Sequence, residues 1–407
     1  MNSELSEPRS GLWFRRLPLL LAVAVLAACG GDSVSPTQTV SVGVEPQDAL
    51  LIGDGEVVRF TATPRDSGGD RVPGADVTWS VSDSQVAEVD DNGLLTARAS
   101  GTLTLTATSG SASGTARVEV FVPDEVAEYV VGESYFGRRG YVEYIPGDLP
   151  VVLSAPHGGD QQPGEIPDRT QGVTAADRNT RELTLAARDA LQELTGMTPH
   201  VIISHLHRSK LDPNREIVEA AQGSPEAEQA WREFQDWIAV ARLDVVLEFS
   251  RGMYFDMHGH GHDIDRLELG YLLSASNLNR EDISLNSLSF VAQSSIRDIG
   301  RESPLPFSQL LRGPTSFGGL LQAEGVRSVP SPSDPSPGSD DYFSGGYNTQ
   351  QHGSQADGSF VSGIQIEHQF PGIRDTDGNR RAYAERLARV IRDYMLEHYG
   401  FFTTPIG

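Results

Sequence analysis

The chain has 407 residues and carries 32 Lys and Arg against 56 Asp and Glu, a formal net charge of −24. An excess of acid on that scale excludes nucleic acid and direct binding to an anionic lipid surface, both of which need basic patches. The single cysteine excludes an internal disulfide, so each domain must be held by its own core and any metal it binds.

The first predicted element is a processing signal. Arg15 and Arg16 form a positive region, Leu17 to Leu26 is an apolar run too short for a stable membrane span, and Leu26-Ala27-Ala28-Cys29 follows with small residues at the cleavage point. The pattern resembles a bacterial lipoprotein signal. That resemblance implies removal of residues 1–28 and a lipid on the Cys29 sulfur. The mature chain would then be exported and held in the bacterial cell envelope by its lipid, at the outer membrane if the cell is Gram-negative. Residues 29–39, small and polar with Pro36, read as a tether.

Residues 40–122 change to short alternating strands, among them Val57 to Thr63, Asp76 to Val81, Gly101 to Thr108 and Thr115 to Val122, separated by Gly, Asp, Asn and Ser turns. This spacing predicts a β-sandwich of immunoglobulin-like size. The run Val77-Thr-Trp79-Ser-Val through Val86-Ala-Glu-Val-Asp90-Asp-Asn92-Gly93-Leu, then Gly101-Thr, resembles the group 2 bacterial immunoglobulin-like repeats of surface proteins. Trp79 is expected in the core between the sheets and Asn92-Gly93 at a hairpin turn. With no histidine and no convergent ionisable cluster, this domain is assigned to spacing or weak adhesion.

Strands then alternate with helices, which predicts an α/β domain over residues 126–404 with a mixed, mostly parallel sheet flanked by helices. Strands are expected at Pro150 to Ala155, His200 to Ser204, Arg251 to Met257 and Ser362 to Glu367. Helices are expected at Asp177 to Leu194, at Pro225 to Phe249 with Trp231, Phe234, Trp237 and Ile238 facing the core, and at Thr376 to Tyr399. Residues 326–341, rich in Pro and Ser, read as a loop without secondary structure, either a lid or disordered.

Chemistry concentrates at two strand ends, Ser154-Ala-Pro-His157-Gly-Gly and Asp256-Met-His258-Gly-His260-Gly-His262. Imidazoles on stiff strands beside glycine-rich turns suit a hydrolytic zinc ion, which commonly takes two His and one carboxylate and leaves a position for water. His157 and His258 are the natural imidazole pair. For the carboxylate, Asp177 is favoured because a side chain on a first helical turn is well positioned; Asp160 and Glu165 remain alternatives. Asp256 and Asp263 are candidate acceptors for the imidazole N–H groups, and His260 and His262 are expected to face solvent or to stand behind the ligands.

These two segments, with Asp177-Arg-Asn-Thr-Arg-Glu-Leu, His207-Arg208-Ser-Lys-Leu-Asp212-Pro-Asn214-Arg215 and Gly345-Gly346-Tyr347-Asn-Thr349 leading to Ile364-Gln-Ile-Glu367, resemble the N-formylglutamate amidohydrolase family and, more distantly, zinc carboxypeptidases. The resemblance implies a phosphorylase/hydrolase-like α/β fold, one zinc ion and cleavage, by metal-activated water, of an amide beside a free carboxylate. The substrate would be an N-acyl amino acid or a short peptide. It also implies that Glu367 is the general base and acid and that Asn214 and Arg215 hold the substrate carboxylate; Arg208 is a candidate either to polarise the scissile carbonyl or to stabilise its oxyanion, and Gly346 and Tyr347, with Gly345 and Thr349, are expected to shape one wall of the pocket. The insertion with Gln161, Gln162 and Pro163 after His157, and Gln351-His352-Gly after the Gly-Gly-Tyr motif, depart from that family and make formylglutamate itself a poor candidate. A non-catalytic surface lipoprotein that recognises an acidic ligand or glycan is the alternative from another class.

Overall fold

The computed structural model describes residues 38–52, 55–122, 129–354 and 360–402. The signal, the lipidation candidate Cys29 and nearly all of the tether lie outside the described residues. Among those residues no helix is long and apolar enough to cross a membrane.

Residues 41–121 form the expected sandwich of short strands. A four-stranded sheet runs in the order Asp48–Ile52, Ala112–Phe121, Gly101–Ser109, Thr78–Val81, and a three-stranded sheet in the order Val57–Arg59, Leu94–Ala97, Ala87–Val89, beside the pair Ser41–Glu45 and Thr61–Arg65. Alternation in the sequence becomes alternation in burial. Leu103, Leu105 and Ala107 point inward from one strand to meet Val118, Val120, Leu95 and Phe60, while the threonines between them face outward or remain half-buried. Trp79 differs from expectation in that it is half-buried and packs against the edge of this core. The reason lies at Gly93, whose φ is +78°. A Cβ there would stand 2.6 Å from the Phe60 carbonyl oxygen and 2.9 Å from the Trp79 ring, so the indole lies over the hairpin turn.

The second domain is built on an eight-stranded sheet. In chain order its strands are β1 (Tyr135–Phe136), β2 (Val142–Ile145), β3 (Leu149–Ala155), β4 (Pro199–Ser204), β5 (Gly252–Gly259), β6 (Leu267–Gly270), β7 (Ser328–Val329) and β8 (Val361–His368). In space they lie in the order β1-β2-β4-β3-β5-β8-β6-β7. The central four, β4, β3, β5 and β8, are mutually parallel, and antiparallel pairings flank them. Parallel central strands require cover on both faces. Helices α1 (Thr180–Thr195) and α3 (Asp377–Tyr399) cover one face, against Val151, Leu153, Phe255, Ile364 and Ile366. Helix α2 (Pro225–Phe249) covers the other through Phe234, Ile238 and Val245, against Val152, Ile202 and Tyr254.

Three local features depart from the sequence reading. Helix α1 starts at Thr180, three residues after Asp177, because Asn179 adopts a left-handed conformation (φ 66°) that ends the preceding turn. Residues 275–323, without a predicted element, form six helices of four to seven residues, too short to carry a periodic signal. The segment 326–341 contributes β7 at the sheet edge and is anchored by the buried Arg266, whose guanidinium lies 3.3 Å from both Asp334 and Asp340.

The turn at Gly93 has one direct consequence. Gly93→Ala puts a methyl group against backbone and indole in a conformation that L-residues resist, and is expected to cost about 1–3 kcal/mol. Thermal unfolding followed by Trp fluorescence should show the sandwich transition moving down, with the α/β transition in place.

Candidate metal centre

Four side chains reach one region because the parallel strands all point their carboxyl ends there, the usual place for a site in an open α/β sheet. His157 stands two residues beyond β3. His258 is the next-to-last residue of β5, and Glu367 lies directly beside it in register on β8. Asp177 comes from the turn that precedes α1, where its backbone N–H donates to the His157 carbonyl.

The geometry converges on the Asp177 carboxylate. Its Oδ2 lies 3.2 Å from His157 Nδ1, 3.2 Å from His258 Nδ1, and accepts the Gly259 N–H at 3.2 Å. The imidazole centroids are 4.8 Å apart at 69°. The donor atoms of His157, Asp177 and His258 all fall within 4.8 Å of one another, and all three residues are buried.

Behind each ring stands a second acid. His157 Nε2 faces Asp212 Oδ1 at 2.6 Å, and His258 Nε2 faces Asp256 Oδ2 at 2.8 Å. Asp212 is held in turn by Arg208 Nε at 3.0 Å and by the Asn214 N–H. Asp256 is held by the Ser154 hydroxyl at 2.6 Å. An Nε2–H that donates to a buried carboxylate leaves the Nδ1 lone pair directed at Asp177, the arrangement metal-binding histidines adopt. Two lone pairs and a carboxylate directed at one point in a dry interior demand positive charge. Burial works to raise the Asp177 carboxyl, but His157 and His258 outweigh it and hold it well below the usual range. Burial likewise opposes a charge on His258, yet Asp256 and Asp177 push that imidazole well above its ordinary value. The donor set, two imidazoles and one carboxylate, fits a zinc-class ion.

The remaining sequence candidates are distributed as follows. Asp160 is exposed and pairs with Arg181, while Glu165 binds the Tyr141 hydroxyl and Arg139; neither is brought to the cluster. Arg208 is, with its NH1 3.5 Å from Asp177 Oδ1. Asn214 is too, its Nδ2 3.3 Å from His258 Nε2 and its Oδ1 accepting the Asn348 N–H. Arg215 points elsewhere, to Glu219 at 3.2 Å and to the Asn214 carbonyl. Gly346 lies against the Asn214 amide, 2.4 Å from where its Cβ would be. Tyr347 lines a cleft of about 220 Å³ together with Ala49, Arg117 and Glu119 of the sandwich. Asp263 is exposed. His260 is buried and does not face solvent, its Nε2 donating to the Arg266 carbonyl at 2.7 Å.

Glu367 is 5% exposed, its Oε1 accepting Gln365 Nε2 at 2.9 Å. In the metal-free protein burial pushes its carboxyl up to about 8 against the pull of His258, while Asp177 and Glu268 push the same way as burial. Asp177 and Arg208, at 7% and 9%, are the most solvent-accessible groups of the cluster.

Sequence reasoning gave no role to two residues. Asp212 was visible in its motif, but only the fold shows that it backs His157. Arg374, buried near the end of β8, donates to the carbonyls of His368, Arg178 and His260 and so ties together the strand ends and the start of α1. Nothing local marks an arginine for that task. The glycines after His157 admit neighbouring backbone: a Cβ at Gly158 would lie 2.4 Å from Arg181 N and one at Gly159 2.3 Å from the His205 carbonyl carbon.

No curated protein matches the chain. Among solved structures it is similar to the crystal structure of S-layer protein SbsC domains 4 and 5, at 20% identity over 20% of this chain and 51% of that one, TM-score 0.18. It is similar also to an intimin mutant from EHEC O157:H7, at 15% identity over 20% of this chain and 46% of that one, TM-score 0.16. A third likeness, to gene product Atu2144 from Agrobacterium tumefaciens, runs at 12% identity over 63% of this chain and 94% of that one, TM-score 0.36. The chain thus spans about half the length of the first two. Residues 39–120 match the family model described as bacterial Ig-like domain (group 2), and that part of the chain is such a domain.

Proposed function

We propose that residues 126–404 are a zinc-dependent hydrolase of the N-formylglutamate amidohydrolase type, carried on an Ig-like spacer in an exported, lipid-anchored protein. The substrate class is an amide next to a free carboxylate, as in an N-acyl amino acid or a short peptide. One observation carries the reading: both imidazoles turn Nδ1 toward Asp177 while Asp212 and Asp256 hold the opposite nitrogens. The group 2 Ig-like domain fits a place at the cell surface.

Held by His157, Asp177 and His258, a zinc-class cation would supply Lewis acidity for polarising a scissile carbonyl and activating water near neutral pH. The protein does the rest. Glu367, beside His258 in register, takes a proton from the attacking water and returns it to the leaving nitrogen. Arg208, held between Asp212 and Asp177, donates to the oxygen that gains negative charge. Asn214 orients the substrate from the His258 side. Arg215, placed in the same turn, anchors the substrate carboxylate once it leaves Glu219.

Three measurements check these assignments. Wild-type protein should carry zinc at this centre and hydrolyse some members of an N-acyl amino acid panel, and His258→Ala should lose both; wild type free of metal at this centre, or a fully active mutant, contradicts the reading. Asp212→Asn and Asp256→Asn should each weaken zinc affinity about 10–100-fold in a competitive chelator titration. Glu367→Gln should keep its zinc and lose about 10²–10⁴-fold in kcat, whereas Arg215→Ala should raise KM with little change in kcat.

A further inference from the structure

Just past the end of β5 the chain places a second group of metal-ligating atoms that the proposed reaction does not use. His260, His262 and Glu268 bring one ligand atom each to within 4.8 Å of one another. His260 donates from Nε2 to the Arg266 carbonyl at 2.7 Å, which leaves Nδ1 as the unprotonated nitrogen; it accepts the His262 N–H at 3.2 Å, the weaker partner that a cation would replace. His262 presents Nδ1 to Glu268 Oε1 at 2.7 Å, and the Phe343 ring stacked at 4.7 Å and 16° fixes its plane. Glu268 Oε2 accepts the Phe343 N–H at 2.8 Å, so both carboxylate oxygens have set directions.

Charge gives an independent reason to look for a cation here. Glu268 is 1% exposed and is the cross-strand register partner of Glu367, which is itself buried. A carboxylate buried there loses its hydration, a cost that a bound cation offsets. The ion-pair partner of Glu268 is His262, whose side chain keeps 22% of its exposure and so leaves a path for an ion.

We propose that His260, His262 and Glu268 form a second divalent-cation site of the zinc class, separate from the His157–Asp177–His258 centre and set on the other side of the Glu367 strand. Glu367 then stands between two cations, with His258 beside it on β5 and Glu268 beside it on β6. The second ion offsets the Glu268 charge and pins the turn after β5 to the segment that carries Phe343. Two imidazoles and one carboxylate select zinc over calcium or magnesium, which prefer all-oxygen shells. The site does not depend on the hydrolytic reading of the first.

The test is the zinc stoichiometry of tag-free, full-length protein, stripped by chelator and titrated with zinc, with circular dichroism as the check of folding. Wild type should take two equivalents, and His262→Ala, His258→Ala and Glu268→Gln one each. The double variant His258→Ala with His262→Ala should take none. Glu268→Gln keeps the side-chain shape and, through its amide oxygen, the bond from the Phe343 N–H while removing the carboxylate charge, so it decides the matter if His262→Ala fails to fold. A wild type that takes a single equivalent, retained in His262→Ala and lost in His258→Ala, overturns the second site and leaves the first intact. Two equivalents that persist in both His262→Ala and Glu268→Gln overturn it as well. Zinc bound by His258→Ala and lost in His262→Ala upholds the second site while removing the first.

Discussion

Concentrated negative potential at the carboxyl ends of four parallel strands is the constraint on which the α/β domain turns. Asp177, Asp212, Asp256 and Glu367 are all buried there, and the histidines between them offer lone pairs as well as N–H groups. In a dry interior such a set is unstable unless a cation or protons neutralise it. Arg208, Arg169 and Arg374 supply part of that charge from the periphery: Arg208 and Arg169 approach Asp212, while Arg374 clasps three carbonyl groups around the strand ends. The centre of the cluster is left to whatever binds the two Nδ1 atoms.

The sheet makes this arrangement rigid. β3, β5 and β8 are hydrogen-bonded in continuous parallel register, so His258 and Glu367 are neighbours by topology, and Ser154 reaches Asp256 across one strand spacing. Three layers of packing then fix the strands, with α1 and α3 on one side and α2 on the other. The site residues that lie outside strands are fixed by hydrogen bonds to strand-end groups and to one another. Even Asp177, which precedes its helix, is held by the Gly259 N–H and through its own N–H by the His157 carbonyl.

The parts legible in the sequence were those with a local signature. Alternating threonines and apolar residues announced the sandwich, long apolar periodicity announced α2 and α3, and strand-turn-histidine patterns announced His157 and His258. Asp177 was legible as a residue but for an incorrect reason, since it stands before the helix and not on its first turn. What the sequence hid was tertiary. Asp212 looks like one member of a charged loop until β3 brings His157 onto it, and Arg374 acquires its partners only when chain segments almost 200 residues apart meet. His260 and His262 read as solvent-facing residues or as supports behind the ligands because nothing local places Arg266 or Glu268 beside them.

The central claim is that His157, Asp177 and His258 share one metal ion. Crystals grown with zinc and measured on either side of its absorption edge test it most directly. The account predicts an anomalous peak about 2.0–2.2 Å from the Nδ1 atoms of both histidines and from an Asp177 oxygen. A map with no peak between those rings, or one in which the zinc is held by Asp160 or Glu165 instead, would contradict it.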